Sequence, residues 1–134
     1  MLNEMKFRFS KKKYFVLLFV ILLSFNLLAQ NKDSKPKVTF VELGSVNCIP
    51  CKQMQPVMKS IEEKYSDQVK VIFYDVWKDD QKKYAQQYGI KLIPTQVFLD
   101  ENGKEFHRHE GFYPEAEIDK LLQGKGLKLK SNKG

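Results

Sequence analysis

Cys48 and Cys51 are the only cysteines in this chain of 134 residues, and they stand three positions apart in the run Cys48-Ile49-Pro50-Cys51. Two thiols at that spacing can cycle between dithiol and disulfide, or they can supply half of a four-ligand zinc site. Which chemistry applies depends on what holds them. Ahead of them Val38, Phe40, Val41 and Leu43 read as an apolar strand, and behind them Met54, Val57, Met58, Ile61 and Tyr65 recur at i, i+3, i+4, i+7 and i+11. That period marks one face of a helix starting near Cys48, so the cysteines fall in its first turn. The first N–H groups of a helix lack intrahelical partners and carry the positive end of its dipole. A thiolate is stabilised there, which makes Cys48 the candidate nucleophile. Cys51, one turn on, can capture a mixed disulfide formed by Cys48. Pro50 suits a first turn because its missing N–H would have had no helical partner.

The remaining elements follow from the same kind of pattern. The helix runs from about Cys48 to Tyr65, with a kink expected at Pro56. Val69–Val76 reads as a second strand, parallel to the first through a βαβ crossover. Asp79 to Tyr88 reads as a second helix, charged and weakly amphipathic, closed by Gly89. Thr95–Leu99 and Lys104–His109 are strands joined through Asp100-Glu101-Asn102-Gly103, where Asn-Gly marks a hairpin turn. Pro114 to Leu122 is a last helix with Ile118, Leu121 and Leu122 facing inward and Gly124 ending it. The order β-α-β-α-β-β-α defines an α/β domain with one four-stranded mixed sheet and helices on both faces.

Length allows one domain. The formal charge of +7 resembles a nucleic-acid signal until it is divided along the chain. Residues 1–29 carry +4, residues 125–134 another +4, and everything between them −1. The basicity belongs to the ends, so no nucleic-acid partner is expected. Residues 1–30 read as a signal peptide, with Lys6, Arg8 and Lys11 to Lys13 ahead of the apolar run Tyr14 to Leu23 and cleavage expected after Ala29, or else as an uncleaved N-terminal membrane anchor. Both alternatives place the domain outside the cytoplasm, in a bacterial periplasm or envelope where disulfides persist. Residues 31–37 form a polar linker, 38–123 the domain, and 124–134 a basic, solvated tail that anionic lipid would attract.

Taken together, these motifs resemble the thioredoxin family over roughly residues 38–123. The Cys48-Ile49-Pro50-Cys51-Lys52 run is followed by Pro56, Tyr88-Gly89-Ile90 and Ile93-Pro94-Thr95 match the approach to that family's cis-proline, Glu42 stands where it carries a buried carboxylate, and Gly111 matches a glycine near its active site. The resemblance implies a minimal thioredoxin-like fold, lacking the strand and helix that open full-length members. It also implies roles. Cys48 would attack a substrate disulfide, Cys51 would resolve the mixed disulfide, and Glu42 would help move the Cys51 proton. Pro94 would be cis, keeping an amide away from the sulfurs, while the backbone of Ile93 pairs with substrate and Asn47, Ile49, Pro50 and Gly111 border it. Three positions depart from the family: Asn47 and Gly44 replace aromatics, and Ile49 replaces a glycine. Trp77 stands in what reads as a short insertion and is given no role.

The function expected is therefore thiol–disulfide exchange, with protein or peptide disulfides as substrates. A reductant would need an integral-membrane thiol carrier as its electron source, no bound cofactor and no partner subunit. A disulfide oxidant or isomerase would use the same two sulfurs. From other classes come a metal-binding module, with Cys48 and Cys51 joined by His107 and His109, and a non-enzymatic docking module. The two histidines otherwise read as residues on an outward strand face.

Overall fold

Strand β1 (Val38–Gly44) lies inside a four-stranded sheet of order β2-β1-β3-β4. The computed structural model of the chain describes residues 35–130; the segment 1–30 read as a signal peptide or anchor, and most of the 31–37 linker, lie outside the described residues. After β1 come helix α1 (Ile49–Tyr65), strand β2 (Val69–Asp75), a short helix α2 (Lys83–Gln87), the hairpin of β3 (Thr95–Asp100) and β4 (Glu105–Glu110), and helix α3 (Glu115–Gly124). β2 runs parallel to β1, whereas β3 is antiparallel to both β1 and β4, which makes the mixed sheet that the element order implied.

The two-residue alternation of the strands sorts the core into two layers. Val38, Phe40, Val69 and Phe98 meet Met54, Val57, Met58, Ile61 and Tyr65 of α1 and Ile118 and Leu122 of α3. On the other side Val41, Leu43 and Val97 meet Tyr84, Ala85 and Tyr88 around α2. All five periodic apolar residues of α1 are buried, and Pro56 lies within that helix without ending it. α1 is clamped to α3 by polar contacts at the rim: Lys64 Nζ donates to Asp119 Oδ2 at 2.6 Å and pairs with Glu115, while Ser60 Oγ donates to Glu115 Oε1 at 2.7 Å.

Two stretches differ from their sequence reading. The second helix does not begin at Asp79; residues 76–82 are turns and only Lys83–Gln87 is helical. The Asp75 N–H donates to Gln81 Oε1 at 2.8 Å and the Lys78 N–H to the Asp75 carbonyl at 3.0 Å. With no apolar stripe to bury, local side-chain bonds outcompete a helix there. The basic tail keeps its lysine side chains exposed as far as Lys130, as expected, but its backbone is docked onto the domain. Leu127 is 3% exposed and belongs to the α1/α3 core, the Gln68 amide bonds both backbone groups of Lys128, and the Lys130 N–H donates to the Lys64 carbonyl at 2.7 Å. Gly126, at φ 83°, makes the left-handed turn that brings Leu127 back.

Candidate active site

β1 ends at Gly44 directly beneath the cysteines: a Cβ placed there would lie 3.2 Å from both Cβ and Sγ of Cys51, so a side chain cannot be added without displacing that residue. The loop that follows is held by its neighbours. Ser45 Oγ accepts the Asn47 N–H at 3.2 Å, and the Asp75 carboxylate accepts the N–H groups of Val46 at 3.4 Å and Trp77 at 3.2 Å. Cys48 is then the N-cap of α1, in extended conformation, and its Sγ accepts the Cys51 N–H at 3.3 Å. The sulfurs of Cys48 and Cys51 form a disulfide with Cα atoms 5.2 Å apart. The pair is asymmetric. Cys48 is 8% exposed and Cys51 not at all, so a partner arriving from outside meets Cys48 first. Asn47, Ile49 and Pro50 are exposed around it, with Pro50 in the helix's first turn and Ile49 at 75%.

The Ile93–Pro94 loop reaches the same end of the sheet, because Leu43 at the end of β1 pairs with Thr95 at the start of β3. The Ile93–Pro94 peptide is cis, and Pro94 is buried. Gly111, at φ 91°, donates its N–H to the Pro94 carbonyl at 2.8 Å, and Thr95 Oγ1 donates to the Leu92 carbonyl at 2.7 Å. A left-handed backbone at Gly111 is what lets the end of β4 tie this loop down. Five of the six exposed large apolar side chains among the described residues come from this end, Val46, Trp77, Leu92 and Phe112 from its loops and Ile49 from the first turn of α1. Trp77, read as part of an insertion, is 61% exposed beside a groove of about 300 Å³ that it shares with Leu92 and Ile93.

Glu42 lies two residues back from Gly44 on the same face of β1 and is wholly buried. Burial pushes its carboxyl up from the ordinary 4.5 to about 8, while the nearby Gln96 amide acts in the opposite direction. Neither carboxyl oxygen has a hydrogen bond of good geometry, to Gln96 or to anything else described.

His107 and His109 are not brought to the cysteines and do not face outward. Both are half-buried against Tyr113: His109 stacks on its ring with centroids 4.0 Å apart, and His107 Nε2 lies 3.1 Å from its hydroxyl. Among the described residues no three His, Cys, Asp or Glu side chains converge, so the zinc reading lacks its ligand set.

Sequence reasoning missed Gln96, Asp75 and Ser45. Gln96 did carry a signal, as a polar residue in the middle of the apolar strand Thr95-Gln96-Val97-Phe98-Leu99. Asp75 carried none, because an acidic residue at a strand end reads as solvated until the loop it caps is visible.

A family profile described as a thioredoxin-like domain matches residues 26–125. The chain is 31% identical over 90 residues to thioredoxin of Bacillus subtilis (strain 168), an alignment that covers 67% of this chain and 84% of that one. It is 34% identical over 88 residues to thioredoxin of Homo sapiens, covering 64% and 81% respectively. Among solved structures, thioredoxin NaTrxh from Nicotiana alata superposes with a TM-score of 0.57 at 29% identity over 86% of each chain.

Proposed function

Because the chain belongs to the thioredoxin family, and is a redox protein built on a Cys-x-x-Cys pair, we propose that it works outside the cytoplasm as a thiol–disulfide oxidoreductase that reduces disulfides of envelope proteins. The observation that carries this reading is the asymmetry of the sulfurs: Cys48 at the rim and at the helix N-terminus, Cys51 buried behind it.

In the reduced protein the Cys48 thiolate is held by the helix N-terminus and the Cys51 N–H. It attacks one sulfur of a substrate disulfide, forming a Cys48–substrate bond and releasing the other substrate sulfur as thiolate. Cys51 passes its proton to the Glu42 carboxylate, and its sulfur attacks Cys48 Sγ. The mixed disulfide breaks, the second substrate thiolate leaves, and two electrons have moved from the protein dithiol to substrate. Glu42 then returns its proton to the departing thiolate or to water. With its carboxyl at about 8, roughly a tenth of the molecules hold the carboxylate at pH 7. Pro94 presents no N–H toward the sulfurs, and the Ile93 backbone is the edge a substrate strand pairs with. The apolar rim of Val46, Ile49, Trp77, Leu92 and Phe112 favours an extended polypeptide over a small polar disulfide. The cycle closes when an integral-membrane dithiol carrier returns two electrons to the pair. The protein is proposed to act as a monomer, exported by residues 1–30.

Dithiothreitol-driven reduction of insulin tests the chemistry. Wild type accelerates it, Cys48→Ser does not, and Cys51→Ser accumulates a mixed disulfide visible by mass spectrometry. Undiminished reduction by Cys48→Ser would sink the reading.

A further inference from the structure

Glu42 on β1 and Gln96 on β3 are directly opposed in the antiparallel ladder, on the sheet face covered by α1. Both are wholly buried. All four of their terminal polar atoms, two carboxyl oxygens and the amide nitrogen and oxygen, lack hydrogen-bond partners. Four orphaned polar atoms at one place in a core are costly unless they satisfy one another. A carboxyl and a carboxamide do so in either protonation state. The neutral acid gives its O–H to Gln96 Oε1 and accepts from Nε2–H, and the carboxylate accepts from Nε2–H alone. Directly opposed residues of an antiparallel pair place their Cβ atoms about 5 Å apart, so rotamer changes suffice to join them.

Few other titratable groups face this pair among the described residues. From α1 there is Cys51, above Gly44. From β2 there is Asp75, its oxygens already engaged by the Val46 and Trp77 amides. Beyond Gln96 on β4 stands His109, its Nε2 3.1 Å from the Phe112 carbonyl and its ring on Tyr113. From α3 the packed residues, Ile118 and Leu122, are apolar. A carboxyl under Cys51 therefore has one polar neighbour that is not otherwise occupied.

We propose that Gln96 is a positioning residue of the redox cycle: its carboxamide holds the Glu42 carboxyl beneath Cys51 in both protonation states and sets how readily Glu42 takes the Cys51 proton. The proposal rests on the thiol–disulfide reading above. Hydrogen bonds to a charged acceptor are roughly twice as strong as neutral ones, so Gln96 favours the carboxylate while burial favours the acid.

The test uses the full chain labelled with ¹³C at its glutamate carboxyls, in the oxidised state, with the Glu42 resonance assigned through Glu42→Gln. Gln96→Met keeps the volume and removes the amide. It is expected to raise the Glu42 titration midpoint by about one pH unit, tenfold in the equilibrium. The pH profile for release of a Cys48 mixed disulfide moves with it. In a Glu42→Gln background the same substitution leaves that profile where it was. Should Gln96→Met fold poorly, Gln96→Glu sets two carboxyls face to face, and the Glu42 titration is expected to split into two coupled steps. An unmoved midpoint in Gln96→Met, an unsplit titration in Gln96→Glu, or a release profile that shifts equally with and without Glu42 overturns the proposal. The carboxyl titration needs no turnover, so a wild type inactive toward disulfides would fail the thiol–disulfide reading separately.

Discussion

Glu42→Gln removes one ionisation from the core while keeping the side chain's volume and most of its hydrogen-bonding capacity. In the unfolded chain this carboxyl ionises near its ordinary 4.5, whereas burial holds it at about 8 in the folded protein. Between those values the native state keeps a proton that the unfolded chain has released, so stability falls as pH rises through that window. Below it both states are protonated and nothing is lost. At about 1.36 kcal/mol per pH unit, the loss reaches roughly 3 kcal/mol at pH 7 and roughly 5 kcal/mol above the folded-state midpoint. The glutamine variant carries no such loss. The assay is urea unfolding of the oxidised wild type and variant between about pH 4 and about pH 9. The stability of the variant minus that of wild type is expected to grow by roughly 3 kcal/mol from acid to neutral pH and to level off above the folded-state midpoint. A difference that stays constant across the range refutes the reasoning, because Glu42 would then titrate in the folded protein where it does in the unfolded chain.

Three further outcomes are expected. Leu127→Ala, which empties a buried place against α1 and α3, should lower unfolding free energy in the same urea assay by about 2–4 kcal/mol, whereas a free tail would give no change. Lys64→Met breaks the contacts to Asp119 and Glu115; these hold the Lys64 ammonium above its usual range. Since the side chain is about one-third exposed, the cost should be only about 1 kcal/mol and should shrink at high salt, read by urea unfolding at two ionic strengths. Gly44→Ala sets a methyl 3.2 Å from Cys51 Sγ and should destabilise the oxidised protein by roughly 1–3 kcal/mol, measured as a fall in thermal midpoint.

How much was legible in the sequence depended on whether a residue's role was local. The α1 stripe from Met54 to Tyr65 and the apolar run Val38, Phe40, Val41 and Leu43 in β1 are local patterns, and all of these residues ended buried. Cys48 at a helix start was readable for the same reason, since an apolar strand gives way to a 3.6-residue period just there. The second helix was over-extended because Asp79 to Lys82 has a tolerable helix propensity but no face to bury, and the competing Asp75–Gln81 bond is invisible without the turn that makes it. Leu127 was hidden by its lysine neighbours; one apolar residue has no period, and only the turn at Gly126 returns it to the core. His107 and His109 alternate as surface residues would, yet Tyr113 comes round from the next loop to cover them. Gln96 became meaningful only through register. Its partner in β1 is 54 positions earlier, and no local pattern pairs it with Glu42.

The central claim, that Cys48 and Cys51 cycle as a reductant, is tested most directly by the equilibrium reduction potential of the pair in the purified protein, from redox titration against a dithiol buffer. A reversible two-electron transition near the thioredoxin value of about −270 mV is the predicted result. A value near about −120 mV would make the protein a disulfide donor instead, and the absence of any reversible transition would contradict redox function altogether.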